Sequence, residues 1–298
     1  MIEIKDIKSI QIVPYTLMMS SISAVLGLIY AIFFIIIIGI SSFLVPQITS
    51  TFILTLAIAM ILLFPAGAFL LSITQSFLTA WIYNMLVPRI GAIKLGFKDL
   101  NEINNVPVVP FALMSAALGG IIIFLIMLIV GPIIAATLQT TALAASIAGT
   151  GIPELASIGA LGIIGLFIMV IGVPIVMFIA IFIFTALMVI LYNLVAPRIG
   201  GIQLNFGNVT DKLYEIDSIP VIPFALITTI VLALFSLITQ MISLIISVAM
   251  GTGLISQLIS LVTSFMLNLV IYFIIYAITA IVYNYLRPRI GGIKLEIE

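Results

Sequence analysis

The chain has 298 residues, of which 64% are apolar and only 7% are charged, and its formal net charge is zero. Soluble domains carry about 25% charged residues, so this composition excludes an ordinary soluble protein. Balanced charge argues against nucleic-acid binding, and the absence of Cys and His excludes disulfides, thiol nucleophiles and the commonest metal ligand.

The first predicted element is a strand, because "MIEIK" at the N-terminus alternates apolar and polar residues. Long apolar stretches follow. No charge lies between Lys8 and Arg89, only Glu154 lies between Glu102 and Arg198, and none lies between Asp217 and Arg287. Each stretch far exceeds the ~20 residues that cross a bilayer core.

Each apolar stretch is interrupted near its middle, at "VPQITST" from Val45, "LQTTALAASIAGTGIPE" from Leu138 and "MGTG" from Met250. The sequence therefore predicts two helices per stretch and six transmembrane helices in all. Glu154 follows Pro153 in the second interruption and is interpreted as a residue at a helix N-terminus, where the helix dipole favours an acid.

Two short segments recur three times along the chain. The closing segment reads "YNMLVPRIGAIKL" from Tyr83, "YNLVAPRIGGIQL" from Tyr192 and "YNYLRPRIGGIKL" from Tyr283. The opening segment reads "DIKSIQIVPYTL" from Asp6, "EINNVPVVPFAL" from Glu102 and "EIDSIPVIPFAL" from Glu215. Because the two segments bracket every apolar stretch, they define repeats 1, 2 and 3 as residues 1–98, 99–207 and 208–298.

The closing segment predicts the end of a helix, then a turn and a strand. A proline disfavours helix at the residue before it, and a glycine permits the positive φ of a tight turn. These residues are Pro88, Pro197, Pro288, Gly91, Gly200 and Gly291. Alternation in "IKLGF", "IQLNF" and "IKLEIE" then predicts a small cytoplasmic β layer, in which the N-terminal strand pairs with the C-terminal one.

Orientation follows from the position of the cations. With two spans per repeat, every Lys and Arg lies on one side, which is predicted to be the cytoplasmic side of a cell membrane. Both termini are therefore predicted to be cytoplasmic. The predicted fold is an all-α polytopic membrane protein. Its six helices form three tandem two-helix hairpins in a pseudo-threefold arrangement, above the β layer. Aromatic residues at the inner interface predict a belt there: Trp81, Tyr83, Tyr192, Tyr283 and Tyr285.

One asparagine lies in the last helical turn before the proline of each closing segment. These residues are Asn84, Asn193 and Asn284. One interpretation is local, with each amide capping freed carbonyls or bonding a neighbouring helix for ~0.6 kcal/mol. The other is a polar ring that lines a constriction on the threefold axis.

An arginine follows each of these prolines, and an acid opens each repeat. The arginines are Arg89, Arg198 and Arg289, and the acids are Asp6, Glu102 and Glu215. The arginines are predicted to reach lipid phosphates and helix C-termini, or to pair with the three acids. Two further prolines, Pro65 and Pro174, lie nineteen positions before their asparagine and predict kinks, either static or acting as a gating hinge.

The motifs "VYNYLRPRIGGIKLEIE" (Val282–Glu298) and "LYNLVAPRIGGIQL" (Leu191–Leu204) carry a resemblance. They resemble a family of small bacterial and archaeal two-span transmembrane domains of unknown function with a Tyr-Asn … Gly-Gly-Ile closing motif. In repeat 1, Ala92 replaces the second Gly. The resemblance implies three fused two-span units, each with a strand like Ile2–Ile10 before it, and it implies no settled activity.

The sequence offers no nucleophile–base pair, so we expect neither enzymatic activity nor a cofactor or metal. The first functional hypothesis is a scaffold or accessory subunit of a membrane complex. Its predicted partners are the lipid bilayer and, through the cytoplasmic strands, other subunits of that complex. The alternative is a passive pore or transporter along the pseudo-threefold axis.

Overall fold

The computed structural model describes residues 2–42, 50–148, 162–251 and 253–298. Within these residues, six helical segments are long and apolar enough to cross a membrane, which confirms the predicted number of long apolar helices. The helices are α1 (Ile12–Ser42), α2 (Ser50–Ile90), α3 (Val108–Ala148), α4 (Ile163–Phe167), α5 (Val173–Ile199), α6 (Val221–Ala249) and α7 (Leu254–Ile290). A π-helical turn, Ile168–Gly172, joins α4 to α5, and these three pieces make one of the six segments.

The predicted interruptions are only partly described. Residues 43–49 and 149–161, including Glu154, lie outside the described residues. The second interruption was predicted to begin at Leu138, and this was wrong, because α3 continues to Ala148. Leu and Ala in this stretch are strong helix formers and outweigh the few polar residues. The third interruption is confirmed at Met250 and Gly251, which separate α6 from α7.

Seven strands form one curled antiparallel sheet, which confirms the predicted β layer as a structural element. The strands are β1 (Ile2–Ile10), β2 (Ile93–Lys98), β3 (Glu102–Asn105), β4 (Ile202–Gln203), β5 (Asn205–Asn208), β6 (Leu213–Ser218) and β7 (Lys294–Ile297). Their order in the sheet is β4-β3-β2-β1-β7-β6-β5.

Strand pairing follows the order of the repeats. In each repeat the opening strand (β1, β3 or β6) pairs with the closing strand (β2, β4 or β7), and β2 and β5 each pair with the opening strand of the next repeat. The N-terminal strand pairs with the C-terminal one as predicted, with Ile7 opposite Ile297. The two end strands of the order, β4 and β5, are consecutive in the chain and are separated only by Leu204.

Two strands, β3 and β6, were not recognised from the alternation of residues, although the family resemblance implied a strand before each two-span unit. Their short segments "EINN" and "LYEIDS" carry too many polar residues for a clear apolar alternation. Both are strands because they lie between two others: β3 between β2 and β4, and β6 between β5 and β7. Backbone pairing on both sides outweighs a weak local preference.

The chain divides into two compact units. The first contains the residues before Val108 and after Val189, with the whole sheet. Its core cluster joins α1, the β6 region and α7 and consists of Met18, Ile22, Ile216, Ile219, Ala280, Val282 and Tyr283. The repeat boundaries predicted at residues 98 and 207 fall at the end of β2 and within β5. The repeat division, the hairpins and the threefold arrangement stay predictions.

In the first compact unit, α1 packs against α2 and α7, and α6 packs against α7. A small residue lets α1 approach α2 closely, since a Cβ at Gly27 would lie 2.9 Å from the Phe64 carbonyl oxygen. The Ser23 hydroxyl also donates to the Ser72 hydroxyl at 3.0 Å. The pairs of helices are therefore held by close backbone approach and a few polar contacts.

The second compact unit is Val108–Val189. Here α3 packs on α5 at two adjacent glycines. A Cβ at Gly119 would lie 2.5 Å from Ile181 Cδ1, and one at Gly120 would lie 3.3 Å from Phe178 Cβ. Close helix contact at small residues is the usual packing in a bilayer, where apolar burial alone gives no driving force.

The helices do not end at the prolines of the closing segments. The expected break was wrong, because α2, α5 and α7 each run two residues beyond Pro88, Pro197 and Pro288. They end at the glycines, whose φ values are positive: +92° at Gly91, +96° at Gly200 and +82° at Gly291. Each glycine N–H donates to the carbonyl four residues earlier and so makes the last hydrogen bond of its helix. A proline in the last turn removes only one helical bond and is tolerated there.

Candidate functional site

A tyrosine hydroxyl joins the opening and closing strands of every repeat. On α2, Tyr83 Oη donates to the Ile7 carbonyl oxygen at 2.6 Å and accepts from the Ile93 N–H at 3.2 Å. Ile7 and Ile93 face each other in the β1–β2 register. The same two bonds are made by Tyr192 to Ile103 and Ile202, and by Tyr283 to Ile216 and Ile293.

These tyrosines are buried rather than placed in an interfacial belt. Tyr83 and Tyr283 are each 1% exposed, and Tyr192 is 8% exposed. The belt prediction was therefore wrong for these three residues, whereas Trp81 and Tyr285 are exposed. A buried hydroxyl needs both a donor and an acceptor partner, and two facing strands supply them. Each tyrosine thus fixes the second helix of its repeat to the sheet.

The asparagine next to each tyrosine binds the backbone N–H and the backbone carbonyl of a single residue. Asn84 Oδ1 accepts from the Ile10 N–H at 2.8 Å, and Asn84 Nδ2 donates to the Ile10 carbonyl at 2.8 Å. Asn193 does the same with Val106, and Asn284 does the same with Ile219, at 2.7–2.9 Å. Each of these bonded residues lies two positions before the first helix of its repeat.

We call each adjacent pair of these residues a Tyr-Asn clamp: Tyr83 with Asn84, Tyr192 with Asn193, and Tyr283 with Asn284. A clamp binds backbone groups at the junction between a strand and the following helix. Without the clamp these groups would lack hydrogen-bond partners. Among the described residues, the amides bond neither carbonyls freed by the prolines nor another helix, so those two local interpretations are not observed. The polar-ring interpretation stays a prediction. The described bonds use one lone pair of each amide oxygen and one N–H of each amide nitrogen.

Two of the three opening acids support the turn of the closing segment. Glu102 Oε1 accepts from the Gly201 N–H at 2.7 Å, and Glu215 Oε1 accepts from the Gly292 N–H at 2.8 Å. These glycines are required by space, because a Cβ at Gly292 would lie 2.5 Å from the Ile216 carbonyl oxygen. The sequence motif showed both glycines but not the carboxylates that they bind.

Repeat 1 departs from this arrangement at both positions. It has Asp6 where the other repeats have Glu, and Ala92 where they have the second Gly. The Asp6 carboxylate lies 3.1 Å from Lys8 Nζ, and Ala92 is buried with 7% exposed. Repeat 1 therefore has the shorter acid, Asp6, together with Ala92, whose Cβ is absent from the glycines of the other repeats.

The three arginines after the prolines do not pair with the opening acids. Among the described residues, no carboxylate lies within 4.0 Å of their guanidinium nitrogens, so the acid-pairing alternative is not observed. Arg89 Nη1 donates to the Met85 carbonyl at 2.8 Å, and Arg289 bonds the Tyr285 carbonyl and lies 3.7 Å from its ring centroid. The lipid-phosphate alternative stays a prediction.

A different arginine, Arg287, holds the carboxylates of repeat 3. Its Nε lies 3.2 Å from Glu215 Oε1, and its Nη2 bonds Asp217. Lys294 Nζ lies 3.7 Å from Glu215 Oε2. Arg287 was not predicted as a site residue from the sequence. It differs from the equivalent residues of repeats 1 and 2, which are Val87 and Ala196.

Pro65 lies inside α2, and Pro174 is the second residue of α5, directly after the π-helical turn. A π-helical turn is a common means of fitting a residue that cannot donate to the helical ladder. Kinking and gating at these prolines stay predictions. Among the described residues, no group of three or more Asp or Glu side chains could hold a metal ion.

Comparisons with protein families, curated proteins and solved structures found no match to this chain. The fold itself defines the class: six helices long and apolar enough to cross a membrane, with an antiparallel sheet, indicate a multi-pass membrane protein. Its repeated polar residues form three Tyr-Asn clamps at the junctions of helices and strands.

Proposed function

We propose that this chain is a non-enzymatic structural membrane protein, acting as a scaffold or as an accessory subunit of a membrane complex. The observation that carries the proposal is the use of the repeated polar side chains. The tyrosine and asparagine of each clamp bind backbone groups of their own repeat. Two opening carboxylates also bind backbone N–H groups. These are architectural roles, and they account for the triplication without a reaction.

The surfaces of the helices support the same role. No more than 28% of the residues in the most apolar window of any of the six helices are buried. In a bilayer, this surface contacts lipid or the helices of other subunits, which pack through small residues and close van der Waals contact. A large open helical surface fits a subunit that binds neighbours along its spans.

The proposal includes the arrangement in the membrane. We propose three two-helix hairpins around a pseudo-threefold axis, with the sheet and both termini in the cytoplasm. Support comes from the strand order, which follows the repeats and joins β7 of repeat 3 to β1 of repeat 1. The concentration of Lys and Arg at the sheet end of the helices supports the cytoplasmic side.

The sheet offers little free edge for strand addition. Its end strands, β4 and β5, have only 2 and 4 residues and are joined through Leu204. Short end strands are a common way of avoiding unwanted pairing. Partner subunits are therefore proposed to bind mainly the helical surfaces and the outer face of the sheet.

The native mass after gentle extraction from the original membrane tests the proposal. We expect a complex larger than the 32.1 kDa chain, with other subunits in fixed ratio. A lone chain that conducts ions or solutes when reconstituted in liposomes would overturn the scaffold proposal in favour of the passive pore. A lone chain that does not conduct would contradict the proposal that the protein is an accessory subunit.

A further inference from the structure

The second helix of each repeat ends in an exposed stripe that finishes with an arginine. Each stripe contains three residues spaced by four, which the helical period places on one face. The stripes are Trp81–Met85–Arg89, Ile190–Leu194–Arg198 and Ile281–Tyr285–Arg289. All nine residues are exposed.

An adjoining face of the same helices is buried against the chain. In repeat 1 this face carries Ile82, Tyr83 and Leu86, which are 0%, 1% and 7% exposed. The clamp therefore fixes the rotation of the helix and turns the stripe away from the protein. In repeat 1 the upper positions of the stripe, Trp81 and Met85, are 47% and 37% exposed. Surface of this kind at the end of a span contacts lipid.

The guanidinium groups of the three arginines can bind an anion at this position. Among the described residues, none of the three has a carboxylate within ion-pair distance. Arg89 uses one guanidinium N–H on the Met85 carbonyl, and its remaining N–H groups are free to bind another acceptor. A guanidinium binds phosphate oxygens in a two-pronged geometry, which gives both affinity and orientation.

We propose that each stripe binds an anionic phospholipid of the adjacent leaflet. The headgroup phosphate lies on the arginine, and an acyl chain lies along the two apolar or aromatic residues before it. An anionic lipid is favoured over a zwitterionic one because the positive choline group would face the same guanidinium. This inference depends on the membrane class of the protein and not on the proposed scaffold role.

The expected preference is modest. One Lys or Arg near an anionic membrane surface contributes about 1 kcal/mol, which corresponds to a roughly fivefold enrichment of anionic lipid at the stripe. The preference decreases with added salt, because the charges are exposed and are screened within about 10 Å at 0.1 M ionic strength.

Trp81 reports directly on the first stripe, since it is the single tryptophan of the chain. It lies eight residues before Arg89, about 12 Å along the helix, at the depth of an acyl chain whose phosphate sits on Arg89. The full chain is reconstituted in phosphatidylcholine vesicles that contain acyl-brominated phosphatidylglycerol or, at the same mole fraction, acyl-brominated phosphatidylcholine. We expect stronger quenching of Trp81 fluorescence by the brominated phosphatidylglycerol, consistent with about fivefold local enrichment.

Three variants make the test specific. R89Q should reduce the quenching by phosphatidylglycerol to the phosphatidylcholine level, and R89K, which keeps the charge, should retain most of the preference. R198Q removes the same charge from another stripe and should leave Trp81 quenching unchanged. Equal quenching by the two lipids in the unaltered chain would overturn the proposal and leave an acidic protein segment as the partner of these arginines. Equal effects of R89Q and R198Q would also overturn it, since bulk charge would then explain the preference.

Discussion

Replacing Asn284 by Ala removes the hydrogen bonds to the N–H and to the carbonyl of Ile219, which are each 2.8 Å long. Ile219 is 8% exposed and belongs to the core cluster, so water replaces these bonds poorly. A neutral hydrogen bond adds about 0.5–1.5 kcal/mol, and a buried group left unpaired costs about 1–3 kcal/mol. For two groups with partial access to water, we expect the free energy of unfolding to fall by about 2–4 kcal/mol.

The assay is unfolding of the purified chain in mixed detergent micelles, followed by circular dichroism, together with hydrogen exchange of the Ile219 amide. A matched control lies on the same helix. Asn268 makes one hydrogen bond to Ser236 Oγ at 2.9 Å, so N268A should cost only about 0.6 kcal/mol. Equal losses for N284A and N268A, with unchanged exchange at Ile219, would refute the clamp.

Three further substitutions test other parts of the site. Y83F keeps the buried ring but removes its two hydrogen bonds, so it should lower stability by about 1–3 kcal/mol, whereas Y285F on the exposed surface should change nothing in the same unfolding assay. G201A places a Cβ against a backbone carbonyl and should cost about 1–3 kcal/mol, measured by loss of thermal stability. The hydrogen bond and charge of Lys212 lower the pKa of Glu298, so this exposed pair is lost only as pH falls through that lowered value. K212Q should return the Glu298 midpoint upward in a carboxyl NMR titration, and an unchanged midpoint would contradict the pairing.

The elements that the sequence predicted are those whose signal is local. Charge-free apolar stretches predicted six spans, and alternation predicted the closing strands β2, β4, β5 and β7. Gly91, Gly200 and Gly291 have the positive φ that a tight turn needs. In each case the signal lies in neighbouring residues of the chain. The bilayer requires the apolar runs, and the steric limits of the backbone favour glycine where φ is positive.

The elements that the sequence missed depend on distant partners. The strands β3 and β6 are polar segments that become strands because both sides are paired. The three prolines favoured an earlier helix end, but the helices continue to the glycine cap. The arginine that pairs with Glu215 is Arg287 rather than the repeated Arg289, and this choice depends on the geometry of the β6–α7 contact.

The sequence by itself determined the class of the protein, because a bilayer requires long apolar runs, and it showed the threefold recurrence of the opening and closing segments. Only the tertiary structure decided what the repeated tyrosines and asparagines bind. The carbonyl groups to which they donate lie 65 to 89 residues earlier in the chain, in or directly after the opening strands. A hydroxyl or an amide can satisfy many acceptors and donors. Strand pairing and helix rotation bring the backbone groups of the opening and closing segments within reach of these side chains.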